Sequence, residues 1–228
     1  AGNVWPLPQT GQMWLEHELL SKPDSKGFFC VSTSYRQEPN AIPGRHDIIF
    51  PMFEFEMPGD VHDLKAMEIE LCDYLGFDPL TEKTYREWQQ HWGVSADTEM
   101  DDSHEKGMEM NFGSCLITDF PELTSPFWNM ARNDDGETAK KMDVILGGME
   151  TIGSAERSCD VDMMRDTFHS IVDGEYAQLL YKLFGKERVE AELEEFLKFD
   201  FFQRVGGGIG ITRMIPALEK INALAKAA

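Results

Sequence analysis

The feature that most constrains the fold of this chain is a strand almost without side chains near its end. Residues 206–210 read GGGIG, and Arg213 then lies in the first turn of an apolar-faced helix. Because glycine carries no Cβ, such a strand lets a flat ligand lie against its backbone. The dipole at the start of the helix and the guanidinium of Arg213 both favour a phosphate there. The alternative is a glycine-lined packing contact beside a surface arginine.

Two common glycine-rich phosphate sites do not fit this segment. A dinucleotide-binding fold needs a βαβ unit of about thirty residues, and only fifteen residues follow Arg213. A P-loop needs Lys-Ser or Lys-Thr directly after its glycines, and neither is present. What remains is an open strand that leads into a helix.

A second element of matching chemistry lies far upstream. Residues 27–35 are rich in β-forming side chains, residues 50–57 alternate, and proline-containing turns lie between them. This pattern predicts an antiparallel hairpin with a long loop. Period-two counting places these side chains on one face of each strand: Arg36 and Glu38 on the first, and Phe50, Met52, Glu54 and Glu56 on the second. The hairpin can therefore present an arginine, an aromatic ring and carboxylates to one cavity.

The composition is that of a globular chain with a strong negative charge. A length of 228 residues allows one substantial core. The 41 acidic and 21 basic residues give a net charge of −20, which repels a polyanion over most of the surface. tRNA is therefore not expected as a partner of this chain alone. A local basic stripe or a halophilic source would also be compatible with this acidity.

Cysteine usage and hydropathy indicate the compartment. The four cysteines lie far apart along the chain, without a C-x-x-C pair, so we expect free thiols in a reducing compartment. No apolar run approaches the length of a membrane span. The sequence therefore predicts a cytoplasmic protein without a membrane partner.

The remaining periodicities predict a single α+β domain over residues 1–228, with a mainly antiparallel β-sheet flanked by helices. Helices are predicted over residues 60–75, 84–92, 161–171, 176–183 and 189–196. Further strands are predicted over residues 114–118, 127–130, 142–146 and 149–157. The polar, acidic stretch at about residues 97–112 is expected to be a helix on the rim or a mobile insertion.

These motifs together resemble a known family. Arg36-x-Glu38, the loop to Arg45-His46, Phe50 and the glycine–arginine element look like motifs 2 and 3 of class II aminoacyl-tRNA synthetases. The aspartyl/asparaginyl subgroup is the most similar. Three more segments resemble that subgroup in the correct order: residues 10–16 (TGQMWLE), 118–128 (TDFPELTSPFW) and 143–157 (DVILGGMETIGSAER). The resemblance covers nearly the whole chain and implies a class II catalytic fold that activates a carboxylate with ATP.

The resemblance implies a role for each residue of the two motifs. Arg36 would contact the α-phosphate of ATP, where negative charge grows during attack by a carboxylate, and Arg213 would be the second catalytic arginine. Phe50 and Arg213 would sandwich the adenine ring. The other predicted ATP contacts are Glu38 at the adenine amino group, Arg45 and His46 at the β- and γ-phosphates, and Gly208 and Gly210 in the glycine strand.

The same resemblance implies a magnesium site at Asp143 and Glu150. Mg²⁺ is commonly held by one or two carboxylates together with phosphate oxygens. The two acids are seven residues apart, an odd spacing that points them to opposite faces of an unbroken strand. We therefore expect a turn or bulge at Gly147-Gly148 that resets the phase. Without the other motifs, two solvated acids at a hairpin would be the simpler interpretation.

The resemblance also implies an amino-acid pocket. Arg157 matches the arginine that the subgroup uses for the substrate side chain. Leu15 stands where aspartyl enzymes carry a lysine, and Glu16 follows it, which favours an asparaginyl-like pocket. Glu54 and Gln12 are candidates for the α-amino and carboxylate ends of the amino acid, and Glu16 is included among the substrate residues.

Some features depart from the family. Motif 1, through which family members form dimers, and an anticodon-binding domain are not found in this sequence. Residues 199–203 (FDFFQ) stand where synthetases often carry a P-H-G-type segment. The glycine strand looks closer to the ammonia-dependent asparagine synthetase, a tRNA-free relative, whereas motif 2 looks like that of asparaginyl enzymes.

Three hypotheses follow. The preferred one is an ATP-dependent ligase, similar to asparagine synthetase, that forms an aspartyl adenylate and transfers the aspartyl group to ammonia or a small amine. The second is the catalytic core of an asparaginyl-tRNA synthetase. The third is a non-catalytic paralogue that binds an amino acid or a nucleotide and regulates a partner enzyme. The first two imply aspartate or asparagine as substrate, ATP and Mg²⁺ as cofactors, and a homodimer.

Overall fold

A computed structural model of the protein describes residues 7–36 and 47–227. It contains one seven-stranded sheet in the order β1-β2-β7-β6-β5-β4-β3. The strands are β1 (Phe28–Tyr35), β2 (Ile49–Pro58), β3 (Thr81–Thr84), β4 (Cys115–Pro121), β5 (Thr138–Leu146), β6 (Met149–Glu156) and β7 (Arg204–Gly210). Only the β3–β4 pair is parallel among these strands. The predicted α+β class with a mainly antiparallel sheet is therefore confirmed.

Eight α-helices flank the sheet in the described part of the chain. They are α1 (Gln12–Ser21), α2 (Val61–Tyr74), α3 (Tyr85–Trp92), α4 (Asp102–Phe112), α5 (Val161–Ser170), α6 (Glu175–Phe184), α7 (Lys186–Phe196) and α8 (Ile211–Ala227). Short 3₁₀ turns follow β4 and α5. None of the described helices is both long and apolar enough to cross a membrane.

Local sequence explains where the helices begin and end. Asp60 accepts hydrogen bonds from the backbone of His62 and Asp63, and the Asp63 carboxylate binds the Asp60 N–H in return, which makes a capping box for α2. Thr84 and Glu87 form the same arrangement at the start of α3. That helix ends at Gly93 with a φ of 68°, a left-handed conformation that glycine adopts at low cost.

The core forms on both faces of the sheet. Helices α2 and α8 bury one face, where Leu64 and Met214 pack against β5 and β6. Helices α3 and α4 cover the other face of β4 and β5 through Trp88 and Met108, both fully buried. A third cluster joins α5, α6 and α7 around Trp128. Strand β7, an interior strand that carries the glycines, faces a cleft at Gly208 and Gly210.

Two details differ from the sequence predictions. Residues 127–130 do not form a strand, because only a single antiparallel bridge joins Met130 to Arg157. Strand β3 was not predicted; its four residues, TEKT, lack the apolar alternation that marks a strand. Within the acidic stretch at 97–112, the helical alternative is observed as α4, which Met108 anchors to the core. All four cysteines are unpaired, as predicted.

Candidate active site

A cleft lies over the open face of β7. Strands β2, β6 and β7 form its floor, and the start of α8 forms one wall. The residues that line it are Arg36, Asp47, Phe50, Met52, Glu150, Thr151, Gly153, Gly208, Gly210, Thr212 and Arg213. Two sequence elements more than 150 residues apart therefore meet at one cleft.

Strand register explains why the glycines and the hairpin meet. Strand β7 pairs with β2, so that Met52, Glu54 and Glu56 lie opposite glycines 210, 208 and 206 respectively. The glycines leave room for the hairpin side chains above the strand. A Cβ added at Gly206 would overlap the carboxyl group of Glu56. Glycine is thus required at that position by close approach of the neighbouring carboxylate.

The two arginines predicted to bind a nucleotide both line this cleft. Arg36 follows β1, and its guanidinium lies 5.5 Å from the centre of the Phe50 ring. Arg213 lies in the first turn of α8 and donates from Nη1 to the backbone oxygen of Glu150 at 2.6 Å. Its Nη1 is also 3.7 Å from Glu150 Oε2. The structure therefore brings together Arg36, Phe50, Gly208, Gly210 and Arg213, whose roles toward ATP stay predictions.

The remaining predicted ATP contacts are Glu38, Arg45 and His46. They lie outside the described residues.

The two predicted metal ligands converge through the turn and an additional bulge. Gly147 and Gly148 adopt φ values of 63° and 83° at the tip of the β5–β6 hairpin. The register shifts next to this turn: Ile145 pairs with Glu150 and Val144 with Ile152, which leaves Thr151 as an extra residue. The turn and the bulge together place Asp143 and Glu150 on the same face of the sheet despite their odd spacing. The sequence predicted a turn or bulge at the glycines, and the bulge lies at Thr151, beyond them.

Both carboxylates reach the space above Gly153. A Cβ at Gly153 would lie 2.8 Å from Glu150 Oε1 and 3.4 Å from Asp143 Oδ1. Asp143 is almost fully buried, and its Oδ1 has no hydrogen-bond partner among the described residues. A buried carboxylate oxygen without a partner is the kind of group that a cation would satisfy. The residues therefore fit a Mg²⁺ ion that phosphate oxygens help to hold.

Two residues that the sequence analysis did not identify flank this acid pair. Lys141 forms an ion pair with Asp143 Oδ2, and its Nζ lies 3.6 Å from the centre of the Phe120 ring. Glu105 of α4 accepts a hydrogen bond from the backbone N–H of Glu150 at 2.9 Å. Period-two counting from Asp143 could have found Lys141. The sequence does not indicate Glu105, because only the packing of α4 against the sheet brings this residue to Glu150.

Burial dominates the electrostatics of Asp143. It raises the pKa of this carboxyl group to about 7, the charges of Glu150 and Glu105 add to the rise, and Lys141 opposes it. A cation held between the acids would favour the ionised form. No group of three or more His, Cys, Asp or Glu side chains suited to a metal occurs in residues 7–36 and 47–227.

Glu54 lies in a cradle of hydrogen-bond donors. Its carboxylate accepts from Thr10 Oγ1, from the backbone N–H of Gly11 at 2.9 Å, and from Ser32 Oγ at 2.7 Å. It is buried and directly opposite Gly208 in the register. These contacts hold a buried acid beside the cleft at a fixed position.

Glu56 and Arg157 form a buried ion pair one glycine further along the same face. Arg157 donates from Nε at 2.9 Å and from Nη2 at 2.6 Å, both to Glu56 Oε1. Gln12 donates to the same oxygen at 2.8 Å. Glu56 Oε2 has no hydrogen-bond partner among the described residues. Burial raises the pKa of Glu56, and Arg157 opposes that rise.

Glu16, which was predicted to bind substrate, is placed differently. It is fully buried on α1, and Arg204 donates to its Oε1 at 2.5 and 2.9 Å while Asn129 donates to its Oε2 at 2.7 Å. The pair ties α1 to β7. Direct contact between Glu16 and a substrate would require this ion pair to open.

Comparisons with known proteins identify the family of the chain. Residues 1–227 match the family model described as "tRNA synthetases class II (D, K and N)". The chain is similar to asparagine--tRNA ligase of Treponema denticola, with 32% identity over 82 residues, 35% of this chain and 16% of that protein. It is also similar to asparagine--tRNA ligase of Xanthomonas euvesicatoria, with 29% identity over 128 residues, 54% of this chain and 24% of that protein.

Solved structures share the fold at low sequence identity. One is asparaginyl-tRNA synthetase from Pyrococcus horikoshii in complex with asparaginyl-adenylate, with a TM-score of 0.74, 18% identity, and coverage of 94% of this chain and 53% of that one. Another is aspartyl-tRNA synthetase from Entamoeba histolytica, with a TM-score of 0.73, 18% identity, and coverage of 96% and 50%. This chain thus spans about half the length of these structures. Its motifs, its sheet and the family match together establish that the chain belongs to the class II tRNA synthetases of the D, K and N group.

Proposed function

We propose that this chain is a catalytic core that activates asparagine with ATP, as expected of an asparaginyl-tRNA synthetase. The main support is the buried pair of Glu56 and Arg157 at the end of the glycine strand. The curated relatives are asparagine--tRNA ligases, which supports this function over aspartate–ammonia ligation, our preferred hypothesis from the sequence.

The charge of the pair suits an amide better than a carboxylate. Arg157 is already neutralised by Glu56, so a second carboxylate would meet an anion at close range in a low-dielectric site. A carboxamide has both a donor and an acceptor. Its NH₂ group can donate to Glu56 Oε2, which has no partner among the described residues, and its oxygen can accept from Arg157. Asparagine therefore satisfies the pair, and aspartate opposes it.

The other predicted contacts follow from the cleft. Glu54 would receive the α-amino group, and Arg36 would bind the α-phosphate together with the attacking carboxylate. Phe50 and Arg213 would enclose the adenine over the glycine strand. Mg²⁺, when bound at Asp143 and Glu150, would neutralise charge on the phosphates. Each of these roles is part of the proposal.

The direct test is ATP–pyrophosphate exchange with purified protein and single amino acids. We expect exchange with asparagine to exceed that with aspartate by at least about tenfold, because repulsion of about 1.4 kcal/mol already produces that ratio. The variant Glu56→Gln should lose most of this preference, since its amide leaves Arg157 unneutralised. Equal rates with both amino acids in the wild type would contradict the proposal.

A second candidate is supported by one observation, the net charge of −20, which opposes the binding of tRNA. In that case the side-chain carboxylate of aspartate would displace pyrophosphate from ATP, and ammonia would then attack the acyl carbon of the adenylate, release AMP and form the amide. Incubation with aspartate, ATP and ammonium should then yield asparagine without tRNA, as measured by mass spectrometry. A requirement for tRNA in product formation would exclude it. Homodimerisation belongs to both candidates, and sedimentation equilibrium tests it.

A further inference from the structure

We propose that Glu105 of α4 is a positioning residue that sets the orientation of Glu150 for the cation and ATP. This inference rests on the proposed function, since it concerns how the same cleft holds its cation. It assigns a role to α4, the helix within the acidic stretch, which contains none of the motifs that identified the other site residues.

The backbone of Glu150 is held from both sides. Glu105 Oε2 accepts the N–H of Glu150 at 2.9 Å. Arg213 Nη1 donates to the carbonyl oxygen of Glu150 at 2.6 Å. One residue of the hairpin thus connects α4 to the arginine at the start of α8. A change at either contact would move the carboxylate of Glu150 relative to Asp143.

This support is needed because the sheet is irregular at this point. The extra residue Thr151 interrupts the β5–β6 ladder directly after Glu150, and a bulge loosens the constraint of regular pairing on its neighbours. The Glu150 side chain is also partly exposed, with 41% of its surface accessible. Contacts from outside the ladder must therefore determine its direction.

Helix α4 is itself fixed, so it can act as a support. Met108 is fully buried against β4 and β5. The Asp101 carboxylate caps the helix start by accepting the backbone N–H of Ser103, and the Asp101 N–H donates to His104 Nδ1 at 3.0 Å. Glu109, one turn after Glu105, forms an ion pair with Lys220 of α8. These contacts place Glu105 at a defined position behind the acid pair.

The test measures binding of Mn²⁺ in the presence of ATP by isothermal titration calorimetry, for the whole chain. Glu105→Ala removes the acceptor, Glu105→Gln keeps an oxygen that can accept the N–H bond, and Met110→Ala is the matched control at an exposed position on the same helix. We expect affinity for Mn²⁺ with ATP to fall about tenfold or more in Glu105→Ala. It should stay within about threefold of wild type in Glu105→Gln and Met110→Ala. Thermal unfolding of all variants checks that each is folded.

Two results would overturn the inference. One is wild-type affinity in Glu105→Ala. The other is an equal loss in Glu105→Gln and Glu105→Ala, which would mean that the negative charge acts on the cation directly. A wild-type protein that binds Mn²⁺ and ATP but activates no amino acid would overturn the proposed function alone, because the comparison between variants is made on binding.

Discussion

Glu68 of α2 allows a quantitative prediction about stability and pH. Its side chain is completely buried beneath the sheet, where the hydroxyl of Ser154 is near its carboxylate. Burial raises the pKa of Glu68 to about 8 from an ordinary value of 4.5, the charge of Asp143 adds to the rise, and the hydroxyl of Ser154 partly opposes it. The folded protein therefore holds Glu68 in its neutral form at neutral pH.

The sign of the effect follows from proton linkage. Above a pH of about 4.5 the unfolded chain releases this proton while the folded chain keeps it, so stability is greatest below that pH and falls as the pH rises toward 8. One pKa unit corresponds to about 1.4 kcal/mol. From the two pKa values of Glu68, the free energy of unfolding should fall by about 3 kcal/mol between about pH 5.5 and about pH 8.5 through this group alone.

The substitution Glu68→Gln removes the titrating proton and keeps the shape of the side chain. Urea unfolding at both pH values should show that the variant gains about 3 kcal/mol relative to wild type at the higher pH. Glu70→Gln is the matched control, because Glu70 lies on the exposed side of the same helix and should leave the pH dependence unchanged. An identical pH dependence in Glu68→Gln and wild type would refute the reasoning.

Three further predictions concern the site and its support. Glu16→Gln should lower the free energy of unfolding by about 3–5 kcal/mol, measured by urea denaturation, because it leaves Arg204 charged and buried without its partner. Gly206→Ala should abolish pyrophosphate exchange, because the added Cβ overlaps the Glu56 carboxyl group; exchange at the wild-type rate would contradict the assigned close approach. Arg213→Ala should raise the KM for ATP about tenfold or more, through loss of a charged contact worth about 1.5–3 kcal/mol, and an unchanged KM would exclude Arg213 from the nucleotide site.

Much of the architecture was predictable because local sequence patterns indicate the strands and helices. The alternation of residues 50–57 and the glycines of 206–210 predicted strands, and the structure has β2 and β7 there. The helix over 60–75 was equally clear, since Asp60 offers a cap and apolar residues recur at helical spacing. Strand β3 was not predicted, because its side chains lack a strand pattern and only its pairing with β4 makes it a strand.

Some residues of the candidate site were likewise predictable from the sequence, and others were not. Motif likeness identified Arg36, Phe50 and Arg213, and the structure places them along one cleft. It also identified Glu16, but only the fold shows that Arg204 and Asn129 occupy both of its carboxylate oxygens. A sequence motif specifies which residue types occur at which spacing, and it does not specify which other side chains each of them contacts in the fold.

The sequence by itself determined the glycine strand, the hairpin beside it and the residues that face a shared cavity, because the period of two in a strand sets those faces before any tertiary contact forms. Tertiary structure alone decided that Thr151 bulges, that α4 brings Glu105 to Glu150, and that Glu56 pairs with Arg157. These contacts join segments whose meeting depends on strand order and helix packing, and the free energy of burying charged groups is defined only once their surroundings exist.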